Sequence, residues 1–201
     1  MLHLWDARTK MGKKKIIVGI SGASGAVYGI RLLEVLQSSR EIETHLILSA
    51  HAGDIIKYET RYSLADVRQL ADQIHAIDNL GSALSSGSFL TEGMIIAPCS
   101  MKTLSGIANS SNDNLLVRAA DVCLKEGRKL VLVPRETPLH LGHLELMARV
   151  ARYGAVLLPP VPAFYHQPET IDDIINHTVG KMLDNFGIEH DLFKRWEGGE
   201  I

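Results

Sequence analysis

Between Lys15 and Phe186, short apolar runs alternate with segments whose apolar residues recur at helical spacing. That alternation constrains the chain more than any other feature, because strands separated by helices pair in parallel and need a helical layer on each face. The candidate strands, residues 15–20, 44–48, 93–97, 129–133 and 155–158, are β-branched or leucine-rich and end at Gly, Ser or Pro. Their interiors are short apolar runs, as expected of strands covered on both faces. Each is followed by a helix candidate. Residues 26–38 carry Ile30, Leu33 and Leu36 on one side, and residues 114–126 carry Leu115, Ala119, Val122 and Cys123 before Gly127. Residues 140–152 and 171–186 repeat the pattern, the last ending before Gly187. The expected fold is α/β, a doubly wound, mostly parallel sheet with helices on both faces.

A chain of 201 residues can form one domain with a sizeable core. Residues 15–201 are assigned to it, and residues 1–14 to a loose extension. A net charge of -2 gives no global field for nucleic acid or an anionic membrane. No apolar run approaches the length of a membrane span. Cys99 and Cys123 lack metal-ligand spacing and cannot form a disulfide framework, so no metal is expected and a cytoplasmic setting fits.

In such a sheet the loops leaving the strands' carboxyl ends share one edge, where ligands bind. Gly19, Gly22, Gly25 and Gly29 surround the first strand-to-helix turn, so the backbone can approach a ligand and the helix amino end can face a phosphate. The second strand ends in Ser49-Ala50, where a dinucleotide site would place an acid, so a mononucleotide fits better than NAD. Ser100 stands where it can cap a helix. Cys99 beside it has no base at a diagnostic spacing, and His140 and His143 have no third metal ligand. Arg118, Asp121 and Lys125 form a stripe that is ordinarily a solvated helix face. Arg135-Glu136 stands just past an apolar strand, between Pro134 and Pro138, where a glutamate can move protons. Four prolines between Pro159 and Pro168 stiffen a loop carrying Phe164, Tyr165 and His166.

Five of these segments, in order and spacing, resemble the UbiX-type flavin prenyltransferases. They are Val18 to Gly25, Ala97 to Gly106, Arg118 to Glu126, Val133 to Leu139, and Phe164 to Pro168. The resemblance runs from about Lys15 to Trp196. It implies a Rossmann-like, flavodoxin-like flavoprotein, usually a dodecamer, with the active site at subunit contacts and no metal. Dimethylallyl phosphate would alkylate reduced FMN at N5 and then C6, giving prenylated FMN for a UbiD-type decarboxylase. By position, the flavin contacts would be Gly22, Ala23, Ser24, Ser49, Ser100, Met101, Lys102, Thr103 and Arg135. Glu136, Glu59 and Ser24 would be the catalytic groups, with Glu136 transferring the proton of ring closure. Lys125, Tyr165, Lys181, Arg118 and Trp196 would meet the prenyl donor. Many relatives carry arginine at the position of Lys181, and some carry tryptophan at that of Leu80. A decarboxylase of the peptidyl-cysteine type and a non-catalytic flavin carrier are the competing readings. Ubiquinone biosynthesis and aromatic-acid degradation both remain open as destinations of the product.

Overall fold

The computed structural model describes residues 12–196 and 198. Most of the expected extension, residues 1–11, lies outside the described residues. Six parallel strands form one sheet: β1 (Lys14–Ile20), β2 (Ile42–Leu48), β3 (Gln73–His75), β4 (Gly93–Cys99), β5 (Lys129–Pro134) and β6 (Val156–Leu157). They lie in the order β3-β2-β1-β4-β5-β6. Without the three-residue edge strand β3, the remaining five run in flavodoxin order; with it, the sheet has the six-stranded Rossmann order. The helices are α1 (Ala26–Gln37), α2 (Ala52–Glu59), α3 (Leu64–Gln69), α4 (Met101–Ala108), α5 (Leu115–Lys125), α6 (Leu141–Arg152) and α7 (Ile171–Asn185).

Strand periodicity sends alternate side chains to opposite faces. Ile16, Val18 and Ile20 of β1, with Ile95 and Val131, join Leu32 and Leu33 of α1 and Val179 and Leu183 of α7. Ile17, Met94, Ile96, Leu130 and Leu132 join Leu104 of α4, Leu116 of α5 and Val150 of α6. Two apolar layers therefore cover the sheet, and this explains the unbroken hydrophobicity of the central strands. Close packing also fixes Gly29 of α1, where a Cβ would overlap the Ala97 carbonyl oxygen of β4.

Polar contacts hold the edge strand β3. Asp72 Oδ2 accepts from the Thr44 amide and hydroxyl at 2.8 and 3.1 Å. His45 Nδ1 lies 3.0 Å from His75 Nε2, and His75 Nδ1 lies 2.9 Å from Ser82 Oγ. Glu43 Oε1 stands 3.2 Å from the far nitrogen of His45. Burial, aided by the facing His75 and Lys15 and opposed by Glu43, holds His45 below the ordinary imidazole range. Burial does the same to His75. Because their folded values lie below the unfolded ones, the neutral pair contributes stability above a pH of about 6.5. That stability is lost as pH falls through the lower folded values. Urea unfolding between about pH 7 and pH 5 should therefore show a steeper loss for the wild type than for His75→Gln. Parallel pH profiles would exclude the pair as the source.

Candidate active site

The sheet order reverses between β1 and β4, and Ser21 ties their carboxyl ends together. Its buried hydroxyl donates to the Pro98 carbonyl at 2.7 Å and accepts from the Ser100 amide at 2.7 Å. Gly25 then caps α1 in the left-handed region, at φ 101°. Glu59, the last residue of α2, reaches this turn. Its Oε2 accepts from the Gly25 amide at 2.7 Å and the Ala26 amide at 3.4 Å. The glycine turn, read above as a phosphate site, thus already holds an anion of its own chain. The partial positive charge of a helix amino end accounts for the attraction in either case.

A free helix start lies one loop away. Ser100 Oγ accepts from the Thr103 amide at 3.2 Å, capping α4 as its position in the sequence allows. The Met101 and Lys102 amides, in the same first turn, have no intrahelical acceptor. Beside them is a cavity of about 380 Å³ lined by Gly22, Ser49, His51, Ser100, Lys102 and Thr103, among others. Such a volume falls within the range of roughly 300–1,000 Å³ that small-molecule sites occupy. Hydroxyls, a lysine and helix amides on one rim suit a phosphate, and Ile77, Leu116 and Val117 give the same cavity an apolar wall for a flat ring. The residues therefore fit a flavin mononucleotide. A Cβ on Gly22 would lie 2.7 Å from His51 Cβ, so only glycine leaves this approach open.

Of the other expected flavin contacts, Ala23 is buried and Met101 lines an adjoining groove with His140 and Leu146. Arg135 Nε donates to the Ser24 carbonyl at 3.3 Å, joining the end of β5 to the glycine turn. Glu136 beside it is exposed, and among the described residues its Oε1 accepts only from the neighbouring Thr137 amide, at 3.1 Å. Ser24, Arg135 and Glu59 thus gather near the amino end of α1, with Glu136 the next residue in the chain after Arg135.

The residues expected at the prenyl donor divide into two groups. Tyr165 and Trp196 meet edge-on with ring centroids 6.4 Å apart, and Tyr165 Oη lies 2.8 Å from His177 Nε2, one helical turn before Lys181. Lys181 Nζ stands 3.3 Å from Asp184 Oδ2. The same carboxylate is gripped by Arg195 at 2.7 and 3.2 Å, which pulls Asp184 down to about 2. None of His177, Asp184 or Arg195 is marked by spacing or motif. Leu80 is exposed, and the rings gathered around His177 are those of Tyr165, His166 and Phe193, with Trp196 edge-on to Tyr165.

Arg118 and Lys125 lie elsewhere, on α5. Arg118 is bound at 2.9 Å to Asp121 and donates to the Ser85 carbonyl at 3.1 and 3.2 Å. Lys125 pairs with Glu126 at the end of α5, just before β5 begins, and so stands at the amino edge of the sheet, opposite the cavity. Lys181 is also displaced toward that edge. The ring of Phe186, five residues beyond it, lies 3.1 Å from where a Cβ on Gly93, the first residue of β4, would stand. One chain does not bring Lys125 and Lys181 to the glycine turn.

Burial pushes the Cys99 thiol up to about 12, leaving no thiolate for nucleophilic chemistry. His140 caps α6, its Nδ1 accepting from the Gly142 amide at 3.0 Å. Among the described residues, no group of three His, Cys, Asp or Glu side chains is placed to hold a metal.

A family model described as Flavoprotein matches residues 5–184. A flavin prenyltransferase UbiX from Thauera aromatica is 61% identical over 186 residues, covering 92% of this chain and 95% of its own. The chain belongs to the UbiX branch of the flavoprotein family. Two solved UbiX-type structures agree in fold. AnUbiX, in complex with FMN and dimethylallyl pyrophosphate, superposes with a TM-score of 0.91 at 49% identity, covering 94% of this chain and all of its own. A dodecameric FMN-dependent UbiX-like decarboxylase from Escherichia coli O157:H7 gives 0.90 at 53% identity, covering 92% and 100%. This UbiX-type chain shares their fold.

Proposed function

We propose that the protein is a flavin prenyltransferase that joins the dimethylallyl group of dimethylallyl phosphate to reduced FMN, releases phosphate and delivers prenylated FMN to a UbiD-type decarboxylase. The observation that carries this reading is the cavity at the switch point. It sets hydroxyls, a lysine and the open start of α4 around an apolar slot, in a chain 61% identical to a flavin prenyltransferase. Reduced FMN supplies the nucleophilic N5 and C6. Ser49, Ser100, Lys102 and Thr103 would hold its phosphate, and Gly22 and Ala23 would let the ring approach the β1 turn. Arg135, anchored on the Ser24 carbonyl, would fix the ring's polar edge.

Breaking the allylic C–O bond leaves negative charge on the departing phosphate, so cations and hydroxyl donors must face it. Arg118, Lys125, Lys181 and Tyr165 are those groups, and Trp196 covers the prenyl chain. Glu136 would carry the proton of ring closure from the flavin C6 to the allylic double bond that is consumed, with Glu59 and Ser24 ordering the glycine turn beside it. Because Lys125 and Lys181 stand toward the edge opposite the cavity, neighbouring subunits complete each site in a homo-oligomer, a dodecamer on this reading.

Residues 15–201 act as a single flavoprotein domain. Among the described residues no helix is long and apolar enough to cross a membrane. The enzyme is assigned to the cytoplasm, and neither nucleic acid nor a metal takes part.

The flavin half is tested by equilibrium dialysis against FMN and NAD. FMN should bind more tightly, since β2 ends at Leu48 before Ser49-Ala50, with no carboxylate for a second ribose. Tighter NAD binding would overturn the flavoprotein mechanism.

A further inference from the structure

His177 lies within hydrogen-bond reach of a residue assigned to the prenyl donor, yet no motif marks it. Its Nε2 is 2.8 Å from Tyr165 Oη. Its ring is stacked on His166 with centroids 4.8 Å apart and planes 7° from parallel, and Phe193 lies against it at 4.7 Å. Packed between two rings, the imidazole has little rotational freedom. We propose that His177 is a positioning residue that sets the hydrogen-bond polarity of Tyr165, so that donor-phosphate binding follows the protonation of His177. The proposal rests on the reading above that Tyr165 faces the prenyl phosphate.

The logic is one of donors and acceptors. A neutral His177 with a lone pair on Nε2 takes the phenolic proton, and Tyr165 then presents only lone pairs to an incoming phosphate. A protonated His177 donates Nε2–H to Oη, which frees the phenolic proton for a phosphate oxygen and places a positive charge behind the ring. Binding of phosphate and proton are therefore linked, each favouring the other. The charged and titratable neighbours among the described residues are Tyr165 and His166 from the proline-rich loop and Lys181 and Asp184 from α7, while Arg195 and His190 of the C-terminal segment bind Asp184. Burial, with His166 and Lys181 and against Asp184, holds the free imidazole below its ordinary range. In the ligand-free protein His177 is thus neutral at neutral pH, and the phosphate must recruit the proton. Among the described residues neither nitrogen of His166 has a hydrogen-bond partner, so His166 meets His177 by stacking and takes no part in the Tyr165–His177 hydrogen bond.

The test is the KM for dimethylallyl phosphate, with FMN saturating, from about pH 8 to pH 5.5 in the wild type, His177→Gln, Tyr165→Phe and the double variant. The phosphate's own ionisation is common to all four and cancels in ratios. Glutamine can donate to Oη but does not titrate. Relative to His177→Gln, the wild-type KM should fall roughly five- to tenfold as pH is lowered. That difference should vanish in the Tyr165→Phe background. As a second readout, inorganic phosphate should raise the His177 titration midpoint seen by NMR in the wild type and leave it unmoved in Tyr165→Phe. If Tyr165→Phe weakens donor binding but the wild-type and His177→Gln profiles coincide, His177 has no such role and the donor site stands. If Tyr165→Phe leaves KM unchanged, the placement of Tyr165 at the donor fails and the proposal with it.

Discussion

Glu136→Gln is expected to slow formation of prenylated flavin in a single turnover by roughly 10²- to 10⁴-fold, the range attributable to one positioned acid–base group. The residue meets the structural requirements. It follows a strand buried from Leu130 to Pro134 whose end is fixed by the Arg135 link to Ser24, and among the described residues its carboxylate accepts from the adjacent Thr137 amide alone. Glutamine keeps shape and polarity and removes only the titrating proton. FMN binding should be unchanged, because no residue assigned to the phosphate or ring is disturbed. Stopped-flow spectra of the flavin, with a parallel FMN titration, separate the two effects. An unchanged rate would remove Glu136 from the chemistry, and a lost FMN affinity would recast it as a structural residue.

Lys181→Ala should weaken dimethylallyl phosphate binding by roughly 10- to 100-fold, the worth of about 1.5–3 kcal/mol for a hydrogen bond to a charged group. The surrounding ion pairs make this a clean experiment. Arg195 already holds both oxygens of Asp184, so Lys181 is not needed to neutralise it, and its half-exposed ammonium can turn to a phosphate at little cost. Removing it leaves Asp184 paired, and the fold should be little affected. Lys181→Arg should retain most activity, since charge is preserved and a planar fork able to bind a phosphate through two N–H groups is gained. Initial rates against donor concentration, with FMN affinity followed by fluorescence quenching, give the answer. Equal loss of both ligands would make Lys181 a support of the fold or flavin. Loss of neither would return it to an ordinary solvated lysine.

The central sheet was legible because helices on both faces make its strands continuously apolar, as in Ile16–Ile17–Val18 and Met94–Ile95–Ile96. The edge was not. β3 offers one apolar residue between Gln73 and His75, and is held by Asp72 and the His45–His75 pair, contacts between residues about thirty positions apart. Helix α2 has only eight residues and α3 six, too short for a helical period to stand out.

The site divided in the same way. Ser100 at the start of α4 and Gly22 in the first turn could be read locally, since capping and close approach depend on a few adjacent residues. The meeting of Glu59 with the start of α1 could not, since it joins residues more than thirty positions apart. Nor could the grouping of Tyr165, Lys181 and Trp196 around His177 and Asp184, which depends on how an irregular C-terminal segment folds back on α7.

Mass spectrometry of the flavin recovered after anaerobic incubation with reduced FMN and dimethylallyl phosphate tests the proposed activity most directly. A flavin heavier by one dimethylallyl unit, formed with one phosphate released for each, is the predicted result. Recovery of unmodified FMN from protein that binds both ligands would contradict it.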